Sequence, residues 1–182
     1  MEIKNTVFEG LVEIIPAIYR DERGNFLETF RSDILEDYGL PSKFVQDNQS
    51  FSVKNVVRGL HIQLPPHEQI KLVRASNGKV MDIVVDVRKD SDTFGKHYKC
   101  LLDSNLGNML FIPAGFLHGI AVLEDTVFSY KCSSYYDRNS ESGVRYNDRS
   151  LQIDWGIHSP ILTEKDQILP SFKEFLKKYV LA

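Results

Sequence analysis

Short apolar or alternating runs follow one another along nearly the whole chain, broken about every eight to twelve residues by Gly, Pro, Asn or Asp. That rhythm suits an all-β sandwich or barrel. It predicts strands at Leu11 to Ile15, Phe26 to Phe30, Phe44 to Phe51, Val56 to Ile62, Ile70 to Ala75, Val80 to Val87, His97 to Leu102, Asn108 to Ile112, Gly119 to Leu123 and Thr126 to Cys132. Asn77-Gly78 predicts a hairpin turn, since both residues tolerate positive φ, joining the Lys71 strand to the Asp82 strand. Helix is confined to the edges. Ser32 is the expected cap of a short helix through Tyr38 that stops at Gly39, and Pro170-Ser171-Phe172 opens an amphipathic C-terminal helix ending in Lys177 and Lys178. With 182 residues, 42% of them hydrophobic, and no low-complexity linker, residues 1–182 are expected to form a single domain.

Charge and composition narrow the function classes. A formal net charge of −3, with no cluster of Lys and Arg interleaved with aromatics, argues against nucleic acid as a partner. Met1-Glu2-Ile3-Lys4-Asn5 lacks the apolar run of a signal peptide, and nowhere do about eighteen apolar residues occur together. A cytoplasmic protein that does not enter a membrane is expected. Cys100 and Cys132 lie in strand-like apolar contexts without metal or redox spacing, and read as reduced core thiols.

Against that background, Val57-Arg58-Gly59-Leu60-His61-Ile62-Gln63 and Gln69-Ile70-Lys71-Leu72-Val73 stand out. Taken singly, a strand histidine is usually satisfied by a hydrogen bond and a nearby arginine points to solvent. Together, Arg58, His61 and Lys71 supply an anion clamp, a base and a partner for an oxyanion. Such a set suits proton abstraction beside a carbonyl on a phosphorylated substrate. A second motif is Ile112-Pro113-Ala114-Gly115-Phe116-Leu117-His118-Gly119. A strand histidine followed by Pro-x-Gly-x-x-His is the pattern of a cupin, a double-stranded β-helix or jelly roll, here with short peripheral helices. Most cupins hold a metal through His-x-His, a downstream Glu and a second-motif His. Here His61-Ile62-Gln63 places a neutral amide at the second position, and His67 and Glu68 lie beyond Pro65-Pro66, out of step with the His61 strand. Neither a metal nor a cofactor is expected.

Further motifs occur in order: Asp21-Glu22-Arg23-Gly24-Asn25-Phe26-Leu27-Glu28, Gln46-Asp47-Asn48-Gln49-Ser50, Arg58 to His61, Val85-Asp86-Val87-Arg88-Lys89-Asp90-Ser91 with Phe94-Gly95, Pro113 to Gly119, Tyr130-Lys131-Cys132 with Tyr135-Tyr136, and Thr163-Glu164-Lys165-Asp166. On these the chain resembles the dTDP-4-dehydrorhamnose 3,5-epimerases and their relatives acting on other nucleotide-linked 4-keto sugars. The resemblance implies a cofactor-free cupin homodimer with strand exchange between subunits, acting on a nucleotide-diphosphate 4-keto sugar. It implies His61 as base with Asp166 as its partner, Tyr130 as the acid on the opposite face, and Lys71 near the enolate oxygen. Arg23 and Arg58 would hold the diphosphate, Gln46 and Asn48 the sugar hydroxyls, and Phe26 would pack against the ligand. Tyr136 and Glu141 match positions near the nucleobase, while Glu28, His118 and Lys165 complete the substrate-binding set; His118 has a structural reading as well.

Departures from the family's pattern leave the substrate open. Ile62 stands where a tyrosine is usual, Thr163 replaces a serine, Tyr146-Asn147-Asp148-Arg149 replaces a tryptophan-containing segment, and Trp155-Gly156 lacks a proline. Loss of a bulky Tyr near the sugar would leave space for a longer chain, so GDP-linked 4-keto-heptoses of capsule synthesis stand beside dTDP-linked hexoses. A C3-only epimerase and a 3,4-ketoisomerase start from the same α proton. More distant alternatives are a metal-dependent cupin oxygenase, which would need His61, Glu68, His118 and another ligand to converge, and a non-catalytic sugar-nucleotide binding module.

Overall fold

The computed structural model describes residues 1–180. In chain order the strands are β1 (Glu2–Asn5), β2 (Val12–Ile15), β3 (Ile18–Asp21), β4 (Gly24–Leu27), β5 (Gln46–Ser52), β6 (Val57–Gln63), β7 (Lys71–Asn77), β8 (Lys79–Asp86), β9 (His97–Asp103), β10 (Met109–Ile112), β11 (Phe116–Val122), β12 (Thr126–Cys132) and β13 (Glu141–Gly143). The helices are α1 (Ser32–Asp37), α2 (Glu164–Gln167) and α3 (Phe172–Tyr179). Six strands form one antiparallel sheet in the order β1-β2-β10-β7-β12-β5, five form a second in the order β13-β6-β11-β8-β9, and β3 and β4 pair as a separate hairpin. This is the all-β jelly roll expected from the sequence.

Side-chain alternation explains how the sheets pack. On β8, Val80 and Val84 enter the core between the sheets with Val73, Leu110, Ile120 and Phe128. The intervening Ile83 and Val85 point the other way, into a second cluster with Phe172 and Phe175 of α3. A strand buried on both faces reads as a nearly continuous apolar run, as in Val80 to Val87, which only Asp82 and Asp86 interrupt. On the outer face of the six-stranded sheet, Leu35 of α1 packs with Val12, Ile14, Leu72, Met109 and Phe111.

Ten predicted strands have observed counterparts, with shifted ends. The segment predicted from Phe26 to Phe30 stops at Leu27, and the one predicted from Gly119 begins at Phe116, which places His118 inside a strand. β1, β3 and β13 were not predicted; β3 is largely exposed and so shows no core periodicity. Two local expectations are corrected. Ser32 lies in the first turn of α1, behind an Arg31 N-cap whose side chain makes no capping bond, whereas Gly39 closes the helix at φ 72° as expected. Asn77-Gly78 is not a hairpin turn, because β7 and β8 belong to different sheets. It is a corner at which only Gly78 takes positive φ, 76°, and a Cβ there would collide with the Asp125 carbonyl. The C-terminal helix begins as predicted, with Ser171 and Glu174 forming a reciprocal capping box.

Gly78→Ala should therefore cost about 1–3 kcal/mol, from positive φ and the backbone collision together, read as a lower urea midpoint with an unchanged slope.

Candidate active site

The Arg58–His61 segment does not follow strict strand alternation, under which residues three apart point to opposite faces. From His118 to Ile120, β11 advances two residues while its partners on β6 run from His61 to Arg58, three residues. The extra residue is a β-bulge, and it turns Arg58 and His61 to the same cavity. Gly59 makes the bulge possible: its φ is 118°, and a Cβ would stand 2.6 Å from the Gly119 Cα and 2.7 Å from the His118 carbonyl oxygen.

The cavity lies between the sheets. From the five-stranded sheet come Arg58, His61 and His118; from the six-stranded sheet come Ser50, Lys71, Phe128 and Tyr130; Thr163, Lys165 and Asp166 close one side. The cavity volume is about 320 Å³, and an adjoining hollow shares His61, Lys71 and Tyr130 and extends to Gln46, Asn48, Ile62, Gln63, Tyr136 and Glu141. Arg58, His61 and Lys71 thus converge from two sheets.

His61 Nε2 lies 2.5 Å from Asp166 Oδ1. Asp166 is carried by the single turn of α2, whose N-cap Thr163 accepts from the Asp166 amide, and its side chain is only 3% exposed. Burial alone would raise its carboxyl pKa, but the hydrogen bond and charge of His61 outweigh it and hold the group below the usual range. The other His61 ring nitrogen bonds to no protein group among the described residues and is not buried. Across the cavity, the Lys71 ammonium stands 5.9 Å from the Tyr130 ring centroid. Burial pushes the Lys71 pKa down and the Tyr130 pKa up. Tyr130 is therefore a neutral phenol at neutral pH, able to donate. The Arg58 guanidinium is anchored through Nε, which donates to Ser52 Oγ at 3.0 Å.

At the far end, Gln46 Nε2 donates to Asn48 Oδ1 and Gln46 Oε1 accepts from the Tyr136 amide, each at 2.9 Å. The Tyr136 hydroxyl donates to Glu141 Oε2 at 2.7 Å, and Lys165 Nζ pairs with the same oxygen at 2.6 Å. The structure does not bring Arg23, Phe26 and Glu28 to this cavity. Arg23 and Phe26 line a separate hollow on the β3–β4 hairpin, where the Arg23 side chain is 85% exposed and paired with Asp21. Glu28 is exposed beside Arg31.

Ile62 is buried in the cluster beneath α3, and the residue also borders the adjoining hollow. Sequence reasoning missed the roles of Gln63 and Asp82. Gln63 donates to the carbonyls of His67 and Tyr135 and accepts from the Asp137 amide, so its amide fixes the Tyr136 loop. Asp82 bonds His118, and its one signal is a carboxylate inside the apolar run Val80 to Val87. Among the described residues, no three His, Cys, Asp or Glu side chains converge as a metal site.

A histidine held by a buried carboxylate faces a phenol and an ammonium across one pocket: the parts for moving a proton at carbon beside a carbonyl. The family model for dTDP-4-dehydrorhamnose 3,5-epimerase matches residues 5–174. The chain belongs to the dTDP-4-dehydrorhamnose 3,5-epimerase family. The enzyme of that name from Escherichia coli (strain K12) is 40% identical over 100% of both chains. The crystal structure of a dTDP-4-dehydrorhamnose 3,5-epimerase from Elizabethkingia anophelis superposes with a TM-score of 0.90 at 43% identity, covering 96% of this chain and 97% of that one. A dTDP-6-deoxy-D-glucose-3,5-epimerase from Legionella pneumophila, in complex with dTDP-4-keto-L-rhamnose, gives a TM-score of 0.90 at 40% identity over 94% and 93%. The chain is thus an isomerase of the epimerase class.

Because its folded pKa is depressed, Asp166 should contribute stability that is present above its unfolded value of ~3.9 and is lost as pH falls through the lower folded value. Denaturant midpoints below pH 5 should fall less steeply for Asp166→Asn than for the wild type.

Proposed function

We propose that this protein inverts C3 and C5 of a dTDP-linked 4-keto-6-deoxyhexose. The observation that carries this reading is the placing of a His–Asp pair and a neutral tyrosine on opposite sides of one cavity. In a 4-keto sugar the hydrogens at C3 and C5 are both α to one carbonyl, so one base serves either centre through an enolate. The ring nitrogen of His61 not engaged by Asp166 removes the proton, and Asp166 orients the imidazole and stabilises its charged form. The electron pair moves to the C4 oxygen, which Lys71 faces. Tyr130 returns a proton from the other side, inverting the carbon, and solvent restores both groups. Arg58 holds the diphosphate.

Gln46, Asn48, Tyr136, Glu141 and Lys165 form the remaining binding wall, with His118 beside the sugar. Arg23, Phe26 and Glu28 reach the cavity mouth from a second copy of the chain in a homodimer; the exposure of the β3–β4 hairpin and its distance from its own cavity support this. The dTDP-sugar enzymes among the relatives support a dTDP-linked hexose over a GDP-linked heptose. Among the described residues no helix is long and apolar enough to cross a membrane. The reaction belongs in the cytoplasm, supplying a sugar nucleotide for bacterial surface polysaccharide.

Proton NMR in D₂O with a dTDP-linked 4-keto-6-deoxyhexose, and a GDP-linked 4-keto-heptose in parallel, should show enzyme-dependent deuterium at C3 and C5 of the former only. No exchange with either would defeat the assignment. His61→Ala should slow exchange about 10²-fold or more, while Tyr130→Phe should suppress inverted product more than exchange; undiminished product yield would remove Tyr130 from the mechanism. Light scattering should give twice the 20.9 kDa chain mass.

A further inference from the structure

A second histidine–carboxylate pair stands in the same barrel. His118 on β11 is the cross-strand partner of His61 on β6, so the two imidazoles rise side by side from one sheet. His118 Nε2 lies 2.8 Å from Asp82 Oδ2. Asp82 is fully buried on β8, on the face that carries Val80 and Val84 into the core, with Ile120 and Cys100 as its cross-strand neighbours. Its other oxygen, Oδ1, has no hydrogen-bond partner among the described residues. A carboxylate in such a place is expensive to bury, and replacing it by an apolar residue would leave the strand pattern of Val80 to Val85 unbroken. Its retention calls for a reason other than packing.

The ring of His118 gives one. A carboxylate only accepts, so Nε2 must carry the proton that bridges to Asp82. Nδ1 bonds to no protein group among the described residues and is not buried, which leaves it open to the cavity that His118 lines. Phe128 stacks against the same ring at 6.3 Å between centroids. The imidazole is thus held at one nitrogen by Asp82, with Phe128 offset beside its face, and its free nitrogen is presented to whatever occupies the pocket.

We propose that Asp82 is a positioning residue of this site: by holding the proton on His118 Nε2, it presents Nδ1 as a fixed acceptor for a hydroxyl of the sugar ring. That contact sets the ring against His61, so that the hydrogen to be removed lies in line with the base. The two dyads then divide the work, His61–Asp166 moving the proton and His118–Asp82 holding the ring. The substrate part of this inference rests on the sugar-nucleotide reading above.

Asp82→Asn, His118→Ala and the double variant test it. Asp82→Asn should lower kcat about tenfold or more while thermal stability is kept or raised, since it removes a buried charge. In the His118→Ala background the same substitution should change kcat by less than about twofold, because a residue acting through His118 has nothing left to act on. Unchanged kcat in Asp82→Asn, or losses that multiply in the double variant, would overturn the proposal. The ligand-free wild type supplies a reading independent of substrate. In ¹⁵N-labelled protein, a downfield imidazole Nε2 proton, protected from exchange and missing in His118→Ala, is expected. Its absence would overturn the dyad itself, whatever the enzyme acts upon.

Discussion

The contact on which the site depends is the meeting of two glycines, Gly59 and Gly119, on adjacent strands. There is no room for a side chain between them: a Cβ on Gly59 would press on the Gly119 Cα, and a Cβ on Gly119 would stand 2.7 Å from the Arg58 carbonyl oxygen. This close approach accommodates the bulge in β6, and the bulge turns Arg58 and His61 to one face. Without it, alternation would send one of them behind the sheet, into the apolar cluster under α3. The neighbouring Leu60 and Ile62 take that place and anchor the strand from behind.

A second constraint is electrostatic. A jelly-roll interior is a poor place for charge, yet this one holds Asp82, Asp166 and Lys71 with two imidazoles. The structure meets the cost with partners: Asp166 with His61 and the Thr163 cap, Asp82 with His118. The same desolvation that makes these groups expensive adjusts them for chemistry. It keeps the Tyr130 hydroxyl protonated and lowers the Lys71 pKa from its ordinary value. A consistently apolar core would serve stability better; Asp166, Lys71 and the two imidazoles meet at the cavity where proton transfer is possible, while Asp86, buried elsewhere, is paired with Arg88.

The outer wall is built differently, from exposed groups tied to one another. Glu141 on β13 joins Tyr136 to Lys165, the residue before Asp166. The binding end of the cleft is therefore connected through one carboxylate to the short helix that carries the partner of His61. Gln63 secures the Tyr136 loop from beneath with three backbone contacts. These links hold irregular chain in place where no sheet ladder does.

The all-β class, the approximate strand positions, the α3 capping box and Arg58, His61 and Lys71 as a candidate set were legible in the sequence, because alternation, turn residues and motifs are local properties of the chain, whereas the role of Tyr130 came from the resemblance, since a tyrosine in its apolar run reads as core. Asp166 came from resemblance alone, since 105 positions separate it from His61 and no spacing rule spans that distance. What the sequence could not decide was which strands share a sheet. Local pattern reads Asn77-Gly78 as a hairpin, whereas the tertiary fold sends β7 and β8 to opposite sheets. It could not reveal the bulge either, because an extra residue is defined only against a partner strand. For the same reason the burial of Ile62 beneath α3, the pairing of Asp82 with His118, and the distance of Arg23 from its own cavity were decided only by the tertiary structure: each depends on contacts between segments that the chain's order does not place together.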